Sequence, residues 1–191
     1  MDAATGKEVW SSAEDIYGTM LAFSTKHDAV LMGYQKPIRF SLPSELGDRL
    51  AVFEASTGKR LWDEAVAYSQ PIIVDRTVYV QTGSSALPTA LDLLTGKPAP
   101  IPGAKASVRG FACGLVTGSP ELLLFRSGPL GYVDLRNGEL RHYGGIRPGC
   151  WINAIPAGGL VLMPDFTWGC SCSYQNQTNL ALEGVRDAGG K

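Results

Sequence analysis

An excess of charge of either sign is missing from this chain: 17 Lys and Arg stand against 18 Asp and Glu, for a net charge of −1. No basic run is longer than a pair, so nothing supplies the positive face that nucleic acid binding requires. Long apolar runs are also absent. No stretch approaches the ~18 uninterrupted apolar residues of a membrane-spanning helix, and no signal peptide opens the sequence. Histidine is scarce: His27 falls in a predicted turn and His142 near a predicted outer strand, on opposite faces by the strand assignment below, so no Ser-His-Asp arrangement arises. Gly144-Gly145 and Gly158-Gly159 read as turns, not as phosphate cradles. No catalytic residue and no metal ligand set is assigned. What remains is a chain of 191 residues, 45% hydrophobic, enough to bury a core.

One stretch organises that chain: Glu54-Ala55-Ser56-Thr57-Gly58-Lys59-Arg60-Leu61-Trp62. Weaker copies are Ala3-Ala4-Thr5-Gly6-Lys7-Glu8-Val9-Trp10, Asp92-Leu93-Leu94-Thr95-Gly96-Lys97 and Asp134-Leu135-Arg136-Asn137-Gly138-Glu139-Leu140. Their glycines are separated by 52, 38 and 42 residues, a mean of 44. Each copy predicts a tight turn between two strands, with Gly where a positive φ is needed. In the two fullest copies a Trp follows the Gly by four residues, an offset that suits packing of a flat ring between neighbouring units. At the equivalent place the third copy has Pro100 and the fourth His142.

A period near 44 with about four short strands per unit predicts β-propeller blades. The Thr-Gly-Lys-x-x-Trp pattern resembles the tryptophan-containing repeat of pyrroloquinoline-quinone-like (PQQ-like), quinoprotein-type propellers over nearly the whole chain. The resemblance implies an all-β fold, a partial propeller of about four four-stranded antiparallel blades from a larger ring. It implies either of two functions. One is a non-catalytic binding or scaffolding segment that needs no cofactor, similar to a bacterial outer-membrane assembly lipoprotein built from these repeats. The other is a fragment of a PQQ-dependent dehydrogenase acting on alcohols or sugars with PQQ and calcium. The family's adjacent cysteine pair is replaced here by Cys-x-Cys, and its calcium ligands and base match no positions of this sequence.

The chain divides by period into closing strands of an incomplete blade (residues 1–10), three blades (11–65, 66–103 and 104–145), an incomplete blade with a Cys-rich loop (146–184) and a disordered tail (185–191). Expected strands include Met20 to Phe23, Ala29 to Tyr34, Arg49 to Phe53, Arg60 to Trp62, Pro71 to Val74, Thr77 to Val80 and Thr89 to Leu93. Further along they include Leu115-Val116, Leu122 to Phe125, Tyr132 to Leu135, Trp151 to Ile155, Leu160 to Met163 and Thr178 to Leu182. Pro98, Pro100 and Pro102 predict a weak outer strand in the second full blade, and no helix is expected. An arc of this kind leaves strand edges bare, so the expected partners are the remaining blades or another copy of the chain, with an envelope protein or glycan as a further partner.

Within a blade, strands A to D run from channel to rim. The D-to-A and B-to-C connections then share one face, and the A-to-B and C-to-D turns the other. All four cysteines fall on the first face: Cys113 and Cys150 near the starts of two A strands, Cys170 and Cys172 in one long B-to-C loop. Three uses stay open for them: two disulfides, free buried thiols, or a metal site with His142. In the disulfide reading Cys150 pairs with Cys170 or Cys172 and Cys113 with the other, and cysteines used this way imply a periplasmic or extracellular address. The same face collects Arg109, Arg126, Arg147, Trp151, Asn153, Asp165, Trp168, Tyr174 and Asn176. Rings, amides and guanidinium groups are what a pocket for a sugar, peptide or anion uses. The competing expectation is structural, with arginines on loop carbonyls and Trp rings packed on disulfides. Asn176-Gln177-Thr178 also matches the glycosylation triplet, a short pattern that matters only in a eukaryotic secretory setting.

Overall fold

The computed structural model describes residues 1–2, 4–13, 16–17, 20–33, 49–66, 71–80, 89–101, 116–126, 128–149, 154–165, 169 and 176–184. Among these the chain is all-β, without a helix. It divides into two compact units, residues 1–83 with 87–101, and residues 84–86 with 102–191. The expected tail lies outside the described residues.

In the first unit, β1 (Met20–Ser24), β2 (Ala29–Gly33), β3 (Arg49–Glu54) and β4 (Arg60–Ala65) form an antiparallel meander in chain order. A second sheet follows, β5 (Pro71–Val74), β6 (Thr77–Val80) and β7 (Thr89–Asp92), also in chain order. Its fourth strand is reduced to one bridge, Leu91 with Pro98, because proline cannot donate to a ladder. The innermost strands β1 and β5 lie against each other. Between the two sheets Ala29, Leu31, Leu50, Val52, Trp62, Val78, Val80, Leu91 and Leu93 make one core. The runs of β2, β3 and β6 are almost wholly buried rather than alternating, as strands covered on both faces are.

The second unit repeats the plan. Strands β8 (Thr117–Gly118), β9 (Leu122–Arg126), β10 (Leu130–Asp134) and β11 (Glu139–Tyr143) make a four-stranded sheet, and β12 (Ile155–Ala157), β13 (Leu160–Met163) and β14 (Leu180–Glu183) a three-stranded one. Here β8 and β12 are the innermost strands and lie together. The Thr117 hydroxyl, donating to the Ala154 carbonyl, joins their ends. Leu124, Leu130, Ala154 and Met163 form the core between the sheets. Four sequential antiparallel meanders, paired through their first strands in each unit, are propeller blades. Two differences from the sequence expectation are local. Strand A of the third sheet is the dipeptide Thr117-Gly118, beyond the expected Leu115-Val116, and its turn moves to Ser119 and the two residues after it, where the Ser119 hydroxyl accepts from the amides of Glu121 and Leu122. Strand A of the last sheet runs through Pro156 to Ala157, leaving Gly158 and Gly159, at φ 59° and 80°, as a two-residue turn of the I′ kind.

Candidate functional site

The four motif turns are one structure repeated. Gly6, Gly58, Gly96 and Gly138 all have φ between 67° and 76°, the left-handed region open to glycine. In each, the Gly amide donates to the carbonyl four residues back, at Asp2, Glu54, Asp92 and Asp134 respectively. Those four positions are all acidic, and the carboxylates hold the turns. Asp2 and Asp92 accept from the amides two and three residues on and from the Thr hydroxyl, Glu54 accepts from the Thr57 hydroxyl, and Asp134 accepts from the Arg136 amide. The first copy thus starts at Asp2, one residue before the Ala3 expected from the sequence. The signal that locates the cap is an acid four residues before every motif glycine.

Within the first unit the tryptophans lock one repeat to the next. Trp10 Nε1 donates to the Ala55 carbonyl at 2.6 Å and Trp62 Nε1 to the Leu93 carbonyl at 2.7 Å. Both rings lie flat over a motif glycine, so closely that a Cβ at Gly58 would fall 2.6 Å from the Trp10 ring and one at Gly96 2.8 Å from the Trp62 ring. The glycine is therefore required twice, for its φ and for the ring that covers it.

Face assignment follows from the backbone. The residue after the acid donates to the residue before strand B in three sheets: Ala55 to Asp28, Leu93 to Arg76 and Leu135 to Glu121, at 2.7–2.8 Å. The A-to-B and C-to-D turns of each sheet thus share an end. On that end, in the first unit, Lys26 Nζ meets Asp75 at 2.6 Å and His27 Nε2 meets the same oxygen at 3.2 Å. The Lys26 hydrogen bond first, then that of His27, holds the Asp75 carboxyl below the usual range. Asp75 and Asp28 both adopt positive φ, about 50°, which a short polar side chain tolerates. Spacing gave no hint of this cluster.

At the other end lie the candidates. Arg126 closes β9, and its Cα partner is Leu130. The Leu130 amide donates to the carbonyl of Ile146, the residue before Arg147, at 2.8 Å. Both arginines are buried, 3% and 2% exposed, the two charged residues so placed among the described residues. Asp165 and Asn176 lie between β13 and β14; Asp165 is exposed, Asn176 half-buried, and the Asn179 side chain accepts from the Asp165 amide at 2.8 Å. Arg109, Trp151, Asn153, Trp168, Tyr174 and the cysteines Cys113, Cys150, Cys170 and Cys172 lie outside the described residues. His142 sits exposed on β11. Among the described residues no group of three or more His, Cys, Asp or Glu is placed to hold a metal ion.

The architecture is that of a β-propeller segment. No protein-family profile and no curated protein matches the sequence. Among solved structures, the computationally designed Ika4 protein is similar over 93% of this chain and 98% of its own, at 15% identity and a TM-score of 0.53, a likeness of fold alone. BamB from Moraxella catarrhalis matches 71% of this chain at 18% identity and a TM-score of 0.44. The quinohemoprotein alcohol dehydrogenase ADHIIG from Pseudomonas putida HK5 matches 71% at 17% identity and a TM-score of 0.41. This chain spans 38% of the BamB chain and 28% of the dehydrogenase chain. No helix among the described residues is long and apolar enough to cross a membrane.

Proposed function

We propose that the chain is a non-catalytic binding or scaffolding segment of a quinoprotein-like β-propeller, presenting the B-to-C and D-to-A connections of its second unit to a protein, glycan or small ligand. The observation that carries the reading is the burial of Arg126, the Cα partner of Leu130 at the end of β9, and of Arg147, next to the Ile146 whose carbonyl accepts from the Leu130 amide. Burying a guanidinium is costly, and two of them, at the end of β9 and in the connection after β11, suit a face that does more than pack. The neighbouring connection adds Asp165 and Asn176, and the sequence adds Arg109, Trp151, Asn153, Trp168 and Tyr174 at the same kind of connection. An envelope protein or glycan is the partner this chemistry suits, in a periplasmic or extracellular setting where the four cysteines would be oxidised.

Calorimetric titration with a panel of neutral and acidic oligosaccharides and acidic peptides tests the reading. Saturable binding is expected, weakened at least about tenfold by Asn176→Ala and by Arg147→Met. Asn176→Ala is at a half-buried loop position and should leave the melting temperature unchanged, so its effect separates binding from folding. No binding across the panel would overturn the reading. Thiol titration in denaturant without reductant tests the cysteines: four free thiols would remove the disulfides. Dye reduction with alcohols or sugars after adding PQQ and calcium tests the dehydrogenase alternative.

A further inference from the structure

The motif turns change character at the residue just before the glycine, which is Thr5, Thr57 and Thr95 in the first three copies and Asn137 in the fourth. Each threonine hydroxyl accepts from the amide two residues on, Lys7 at 3.4 Å, Lys59 at 3.2 Å and Lys97 at 3.4 Å. Asn137 takes over that duty: its side-chain oxygen accepts from the Glu139 amide at 2.8 Å.

The exchange brings in a reaction that threonine lacks. An amide nitrogen that follows asparagine can attack the carboxamide, and glycine, with no Cβ to hinder it, permits this best. Asn137-Gly138 is the one Asn-Gly step in the sequence. The attack forms a bond from the Gly138 nitrogen to the Asn137 side-chain carbonyl carbon and breaks that carbon's bond to the carboxamide nitrogen. Ammonia leaves with the Gly138 proton, and water opens the cyclic imide at either carbonyl to give aspartate or isoaspartate.

In the fold both reacting groups are engaged. Gly138 is buried and its amide donates to the Asp134 carbonyl at 2.6 Å, while the Asn137 oxygen is anchored on Glu139. The Asp134 carboxylate braces the turn, accepting from the Arg136 amide at 2.9 Å and pairing with its guanidinium at 2.6 Å. An amide whose proton is held by a carbonyl is a poor nucleophile until the turn opens. Asn137 itself is exposed, so water is at hand when it does.

We propose that Asn137 is a latent deamidation site, silenced by the hydrogen bond from the Gly138 amide to Asp134 and released by opening of the turn between β10 and β11. The change runs one way. An isoaspartyl link routes the main chain through the side chain and lengthens the turn by a methylene, so the pairing of Asp134 with Glu139 no longer closes on the same geometry. The three turns that carry threonine are inert to this reaction. The inference is independent of the ligand reading, since it uses a C-to-D turn and none of the candidate residues.

Peptide mass spectrometry of the 191-residue chain, aged in mildly alkaline buffer with and without guanidinium chloride, tests it. Denatured, Asn137 is expected to deamidate as fast as a synthetic peptide of residues 132–142. Native, it should react at least about tenfold more slowly, the factor set by the cost of opening the turn. Enzymatic methylation of isoaspartate identifies the product. Asp134→Ala, which removes the carboxylate bracing Arg136, should return the native rate towards that of the peptide. Asn137→Thr, the residue of the other copies, should keep the far-UV spectrum and lose most of the ammonia release. If Asp134→Ala unfolds the chain, hydrogen exchange in the wild type keeps the test decisive, because the native Gly138 amide is expected to be protected. Native Asn137 reacting as fast as the peptide would overturn the proposal. So would an Asn137 that stays intact in denaturant, or a native Gly138 amide that exchanges freely while Asn137 persists.

Discussion

A methyl group added at Gly96 would meet two penalties at once. The φ of +69° disfavours any Cβ by about 1 kcal/mol, and the methyl would press on the buried Trp62 ring 2.8 Å away. Gly96→Ala is therefore expected to destabilise by about 2–4 kcal/mol in urea melts. Gly6 has nearly the same φ, +67°, but nothing within 4 Å, so Gly6→Ala should cost only about 1 kcal/mol. The difference between the two isolates the ring seat from the backbone. Trp62→Phe should cost about 1–3 kcal/mol, because it strands the buried Leu93 carbonyl. The acids make a prediction in pH. Hydrogen bonds from the Arg136 side chain hold the Asp134 carboxyl at about 2, against 3.8 ordinarily, and the Arg76 side chain lowers Asp92 in the same direction. As pH falls below about 4 the unfolded chain takes up these protons first, so stability declines through that range until the native carboxyl also titrates near 2. Urea midpoints measured from pH 5 to pH 2 should fall, and Asp134→Asn should flatten the decline.

At the scale of elements, the sheets respond to what lies across a strand pair. Gly131 on β10 faces Phe125 on β9, and a Cβ there would fall 2.4 Å from the Phe125 ring. Gly131→Ala should lower stability by about 1–3 kcal/mol through overpacking, with no positive φ involved, as equilibrium unfolding would register. Elements of this kind were legible in the sequence where chemistry is local. Thr-Gly-Lys announces the left-handed turn, Asp75-Arg76 between β-branched runs announces the β5–β6 hairpin, and the prolines after Lys97 announce a weak fourth strand, seen as the single Leu91–Pro98 bridge. What spacing did not announce depends on the third dimension. The carboxylate caps matter through amides that only the folded turn presents. The Lys26, His27 and Asp75 cluster joins two turns 48 residues apart. Arg126 and Arg147 look like surface residues by type, and no pattern of apolar residues encodes their burial.

At the scale of the whole molecule, each unit has its own core, one around Leu50 and the other around Leu124, with no residue in common. Leu50→Ala and Leu124→Ala should each destabilise by about 2–5 kcal/mol. Their effects should add to within about 0.5 kcal/mol in a double-mutant cycle read by chemical denaturation. A larger coupling would show that the cores communicate.

The indole seated on a neighbour's glycine has a consequence for how such a chain can grow. A module of about forty residues carries both plug and socket, one facing forward along the chain and one facing back. Duplicating a whole module in the gene would supply a fresh plug for every fresh socket. Length can therefore change in steps of one module without any new interface having to be invented, whereas a break inside a module leaves a plug or a socket orphaned.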